Sequence, residues 1–130
     1  MINLKYSVGN YVYFLGKIKR IEGITERLRP DCGYFHIEGF KAPQKGIHIS
    51  PIKITEEIML KFEAYWDDVL DEKDALVIDV TENIRIGWCG YLFLLIEGYV
   101  IQVNNANSEY VHQLQNIYAD LSGKELKINL

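Results

Sequence analysis

Hydrophobic and polar positions recur along this chain with two different periods, and each change of period marks an element. Over Ser108 to Leu130, Val111, Leu114, Tyr118 and Leu121 follow one another at three- and four-residue steps. That spacing lines them along one face of a helix and leaves His112, Gln113, Gln115, Asn116 and Asp120 mostly on the other. Asn107 or Ser108 is placed to cap the first turn, Glu109 suits the positive end of the helix dipole, and Gly123 stands where a left-handed residue ends a helix. Beyond the glycine the period drops to two. Leu126, Ile128 and Leu130 alternate with Glu125, Lys127 and Asn129, the pattern of a short, half-buried strand returning to a sheet.

The period of two also opens the chain. Val8 to Ile24 reads as two strands joined at Leu15-Gly16-Lys17, with Val12, Phe14, Ile18, Ile21 and Ile24 supplying the apolar positions. Arg27 to Gly33 reads as a loop, because Pro30-Asp31 and Gly33 interrupt any regular element. Tyr34 to Glu38 and Gly46 to Ile52 read as further strands, separated by the polar, proline-containing connection Gly39 to Lys45. Such a run of short strands predicts an SH3-like small β-barrel or half-barrel. Thr55 then caps a short middle helix through Phe62, whose first turn carries Glu56 and Glu57 at the positive end of its dipole. Glu63 to Asp74 passes from Tyr65 and Trp66 into Asp67, Asp68, Asp71, Glu72 and Asp74, and reads as an acidic loop without the rhythm or the glycine of a calcium loop.

From Ala75 the alternation returns through Leu76, Ile78 and Val80, then Ile84 and Ile86. Tyr91 to Glu97 and Tyr99 to Val103 follow, around a tight hairpin at Glu97-Gly98. Leu92 to Ile96 is apolar on both faces, which predicts a central strand with the final helix as its cover. No Gly/Ser/Pro linker divides the chain. The expectation is one α+β domain over residues 1–130: the SH3-like part, the middle helix, then an antiparallel sheet covered by the carboxy-terminal amphipathic helix.

Composition adds little to this until charge is mapped along the chain. With 48% hydrophobic and 25% charged residues the sequence is that of a folded globular protein, and its nine tyrosines favour strands and half-buried positions. The net charge of −4 hides an asymmetry, since residues 1–53 hold nine basic and four acidic side chains whereas 54–130 hold five and fourteen. A basic half and an acidic half sharing a core give a two-signed surface. No apolar run approaches the roughly 20 residues of a membrane span and no secretory leader opens the sequence, so the expected location is the cytoplasm, without membrane association. Cys32 and Cys89 are too isolated for a disulfide framework or a metal knuckle.

Three stretches carry a resemblance. The opening Gly9-Asn10-Tyr11-Val12, the helix start within Ile54 to Lys61 (ITEEIMLK) and the ending YVHQLQNIYADLSGKELKINL, in that order, resemble small uncharacterised proteins of prophages and mobile elements of gut anaerobic bacteria. The resemblance implies no catalytic residue and no cofactor.

Candidate chemistry is sparse. His36 and His48 each stand between apolar neighbours, so on strands both project from the face opposite the packed one and would approach each other if those strands adjoin. With Cys32, Cys89 or Asp31 they would make at most an irregular zinc site, and no metal is expected. Cys89, in Gly87-Trp88-Cys89-Gly90, has the only nucleophile-like setting, without a base in view. Gly-x-Ser-x-Gly and the glycine-rich phosphate loops are absent. The expectation is a non-enzymatic binding or interaction module of a mobile element, without catalytic residues or cofactors, whose partner is a protein or a small anionic ligand. Tyr11, Tyr13, Lys17, Lys19, Arg20, Arg27 and Arg29 are the candidate contacts. The alternatives are a nucleic-acid-binding small β-barrel using those same aromatic and cationic side chains, and a small enzyme using His36, His48 or Cys89.

Overall fold

The computed structural model describes residues 6–25, 34–70, 73–103 and 109–128. Its first sheet begins with β1 (Tyr11–Phe14) and β2 (Lys17–Thr25), paired antiparallel from Tyr11 opposite Arg20 to Phe14 opposite Lys17. Leu15 and Gly16 both have positive φ, 53° and 77°, the backbone of a type I′ turn whose twist matches that of the strands. β3 (Tyr34–Ile37), β4 (Gln44–Lys45) and β5 (Ile49–Ser50) complete the sheet in the order β4-β3-β2-β1-β5. β4 and β5 are its two edges and no ladder joins them among the described residues, so the sheet is open.

The predicted strand from Gly46 to Ile52 is cut down. Gly46–His48 coils into a single 3-10 turn, β5 keeps only Ile49–Ser50, and Pro51, which has no N–H to donate, ends the pairing. β4 in turn arises inside the stretch read as a connection. The predicted loop Arg27 to Gly33 lies outside the described residues.

α1 (Glu56–Lys61) starts as expected, with Thr55 Oγ1 accepting from Ile58 N–H at 3.2 Å. The second sheet contains β6 (Tyr65–Leu70), β7 (Lys73–Asp79), β8 (Ile84–Trp88), β9 (Leu92–Ile96) and β10 (Tyr99–Gln102), an antiparallel meander in chain order. β6 replaces the predicted acidic loop. An edge strand can keep its carboxylates hydrated, and Asp67 is further held by Arg85 of β8 at 2.8 Å. β8 is the central strand and β9 lies one place from the edge, although Leu92 and Phe93, on opposite faces, are both fully buried. The β9–β10 hairpin turns at Glu97-Gly98 as predicted, both with positive φ.

α2 (Val111–Ser122) packs against β1 and shares the main core with the second sheet through Val111 and Leu114. Its entry is stitched to the chain before α1: Val111 N–H donates to Ile52 O and Ile54 N–H to Glu109 O. Gln113 Oε1 caps the amino end by accepting from the N–H groups of Glu109 and Tyr110, a part predicted for Asn107 or Ser108, which lie outside the described residues. Gly123, with φ 71°, closes the helix by donating to Ala119 O.

One core spans both halves of the chain. It gathers Tyr11, Ile52 and Ile54, then Ile58 and Met59 of α1, Leu76, Ile78, Ile86 and Leu92 of the second sheet, Val111 and Leu114 of α2, and finally Leu126 and Ile128. A smaller core on the far face of the first sheet joins Val12, Phe14, Ile21, Ile37 and Ile49. On the far face of the second sheet Phe93 covers Gly87 so closely that a Cβ there would stand 2.2 Å from the ring.

Candidate functional site

Of the side of α2 opposite its apolar stripe, the structure buries His112, Gln113 and Gln115, half-buries Asn116 and leaves Asp120 exposed. His112, Gln113 and Gln115 are among the few buried polar side chains of the described residues, at 1%, 5% and 3% exposure. The first turn and a half of α2, Val111 to Gln115, is buried on every side, and a buried carboxamide is tolerated only when its donors and acceptor are matched. Gln115 meets that condition. Its Oε1 accepts from Tyr11 N–H at 2.8 Å, while its Nε2 donates to Gly9 O at 3.0 Å and to Leu126 O at 3.1 Å. One side chain thus ties β1 and the segment after α2 to the helix.

Over residues 125–128 these bonds take the place of the predicted strand, whose last two positions, Asn129 and Leu130, lie outside the described residues. Leu126 and Ile128 are buried and Glu125 and Lys127 exposed, as the alternation predicts, yet residues 125–128 belong to no ladder among the described residues. Side chains take the place of a partner strand, since Leu126 O is held by Gln115 and Ile128 N–H donates to Tyr11 Oη at 3.2 Å.

Next to this clamp a cleft of about 360 Å³ opens between α2 and the loop before β1, walled by Ser7, Val8, Asn10, Asn116, Asp120 and Glu125. Asn10, 3% exposed, forms its floor: Nδ2 donates to Asn116 Oδ1 at 3.0 Å, and Oδ1 accepts from Ser7 N–H at 2.7 Å. Gly9 is required beside it. Its φ is 95°, and a Cβ would fall 2.1 Å from Glu125 Oε1, so the carboxylate lies in space that only glycine leaves empty. Glu125 is paired with Arg20, and that hydrogen bond holds the guanidinium above its ordinary pKa. Asp120 is exposed on the rim with no ion pair among the described residues. Two carboxylates against one guanidinium leave the cleft negative, a poor setting for a small anion.

His112 lies deeper, between the rings of Tyr6 at 4.7 Å and Tyr110 at 5.9 Å. Burial, with a smaller contribution from Tyr110, pushes the Tyr6 hydroxyl up to about 12.

The predicted contact residues do not form one surface. Directly paired residues share a face of a sheet, so Lys17 and Lys19 stand with Phe14 and Val12, while Tyr11, Tyr13, Ile18 and Arg20 occupy the opposite face. Tyr11 is a core residue whose hydroxyl is engaged, which removes it from any contact surface, and Arg20 is neutralised by Glu125. Tyr13 and Lys17 are exposed; Arg27 and Arg29 lie outside the described residues.

The candidate enzyme residues are likewise apart in their surroundings. His36 lies over Gly23 with Nε2 3.0 Å from Thr25 Oγ1. His48 is on the exposed 3-10 turn and not on a strand. Cys89 is a half-buried free thiol whose hydrogen bond raises the pKa of Tyr91. Among the described residues no three His, Cys, Asp or Glu side chains gather as metal ligands, and no helix is long and apolar enough to cross a membrane.

Sequence reading missed the cleft, although a signal was present. The side of α2 opposite its apolar stripe carries Gln113, Gln115 and Asn116 where a hydrated face ordinarily carries Lys and Glu. Comparison with family models, curated proteins and solved structures finds no match to this chain.

Proposed function

We propose that the protein is a non-enzymatic binding module of a prophage or mobile element that receives a basic side chain of a protein partner in the cleft between α2 and the Ser7–Asn10 loop. The observation that carries this reading is the composition of the cleft. The carboxamides of Asn10 and Gln115 are already matched within the protein, so what the cleft presents to a visitor is the carboxylate of Asp120, the carboxamide of Asn116 and the outer side of Glu125. A lysine or arginine entering there gains charge-assisted hydrogen bonds to carboxylates on the rim of the cleft. Two of the three stretches that carry the mobile-element resemblance supply its walls, Gly9-Asn10 and Gln115-Asn116, which gives those stretches a common purpose.

The first sheet we read as an SH3-like half-barrel. Its order β5-β1-β2-β3-β4 and the 3-10 turn that carries the chain from β4 across to β5 support this. We place the module in the cytoplasm, a reading supported by Cys89 standing as a free thiol.

The test is a titration of isotopically labelled protein with short lysine- and arginine-containing peptides at low salt, followed by amide chemical shifts. Shifts centred on Asn116 and Asp120 that vanish in Asp120→Asn are expected. Absence of shifts there, or shifts indifferent to Asp120→Asn, would refute the assignment.

A further inference from the structure

Four strands form the edges of the two sheets, and three of them are guarded against pairing with another chain. β4 and β5 are two residues long, and β5 runs into Pro51. β6 carries Asp67 and Asp68 and breaks register between Asp67 and Leu70. β10, Tyr99–Gln102, has no charge, no proline and no bulge, and all four of its residues are exposed, with Tyr99 at 74%, Val100 at 47% and Ile101 at 45%. An unguarded edge of this kind is a template for strand addition.

The hairpin fixes which backbone groups are open. A two-residue type I′ loop closes on a hydrogen-bonded pair, here Ile96 with Tyr99, and pair types alternate along an antiparallel ladder. Tyr99 and Ile101 therefore direct their N–H and C=O groups to β9. Val100 and Gln102 direct theirs outward.

We propose that β10 pairs with β10 of a second copy of this chain, antiparallel, about a two-fold axis through Ile101. In this register Val100 of each copy faces Gln102 of the other and exchanges both hydrogen bonds, so every outward group of the strand is used. Ile101 meets its own copy in the close, non-hydrogen-bonded position, where β-branched pairs contribute most. A two-fold centred on Val100 would satisfy only the groups of that residue within the strands. No pairing within the strand brings two charges together, and the same operation removes both open edges at once. A four-residue contact is small, so the dimer is a weak one, formed reversibly.

Sedimentation velocity of the whole chain from micromolar to millimolar concentration tests this. The mass is expected to rise from that of the 15.1 kDa chain towards twice that value. Ile101→Lys, at an exposed position, is expected to abolish the rise without changing the circular dichroism spectrum. An equimolar mixture of Ile101→Lys with Ile101→Glu restores it, because opposite charges then face each other across the axis. A monomer at every concentration overturns the proposal and leaves the edge to a foreign strand. So does a dimer that Ile101→Lys retains, or a mixture that stays monomeric.

Discussion

Replacing Gln115 by leucine isolates the contribution of the carboxamide clamp. The side chains are similar in volume and both suit a helix, so packing and propensity change little. What is lost is three hydrogen bonds, and Tyr11 N–H, Gly9 O and Leu126 O are left in the interior without that partner. A buried polar group without a partner costs about 1–3 kcal/mol, against about 1 kcal/mol for a bond removed together with its partner. Gly9 and Leu126 belong to irregular segments that can shift towards water, so the lower end applies to them. The sum is a loss of roughly 3–5 kcal/mol, a large share of the 5–15 kcal/mol typical of a domain. For a chain of this length that corresponds to a fall in Tm of about 10 °C or more. Urea denaturation followed by both tryptophan fluorescence and circular dichroism measures it, with hydrogen exchange at Tyr11 as the local readout. A loss below about 1 kcal/mol, with Tyr11 still protected, would show that water replaces the carboxamide and that the clamp is not what joins the helix to β1.

Two other perturbations probe the packing around this frame. Gly87→Ala places a methyl against Phe93 and should cost about 1–3 kcal/mol in chemical denaturation, most of it recovered by adding Phe93→Leu; a neutral single variant would refute the close approach. Tyr6 ionises in the unfolded chain near the ordinary tyrosine value of 10.0 but in the folded protein only near 12, so stability is full below pH 10 and falls as pH rises towards 12. Because the buried Tyr6 hydroxyl has no hydrogen-bond partner among the described residues, Tyr6→Phe should leave stability at pH 7 unchanged or slightly raised, and should flatten that alkaline decline; a steeper decline would contradict it.

The sequence was most informative where local rules decide. The Leu15-Gly16 and Glu97-Gly98 turns, the Thr55 cap and the Gly123 stop are each specified by a few adjacent residues, and all four stand where the pattern put them. Periodicity failed where the partner of a residue is distant. Asp67 reads as loop until Arg85 is beside it, and Gln115 reads only as a position on the polar side of α2 until β1 and residue 126 surround it. Alternation correctly separated buried Leu126 and Ile128 from their exposed neighbours, but it could not say that side chains rather than a strand would hold them. The basic cluster from Lys17 to Arg20 is contiguous in sequence, and the pleat of β2 alone divides it between two faces.

The clamp also bears on how the chain is made. Gln115 and Tyr11 are 104 positions apart, and closing a loop of that size costs about 4 kcal/mol of chain entropy beyond a constant term. On the ribosome, β1 and β2 emerge long before α2 exists, so Tyr11 and Ile18 have no helix to pack against until the chain is nearly complete. The nascent protein therefore passes through an interval in which an apolar sheet face is open, and that interval closes late, when the core residues of α2 cover it and Gln115 fastens the Gly9–Tyr11 backbone and Leu126 to the helix.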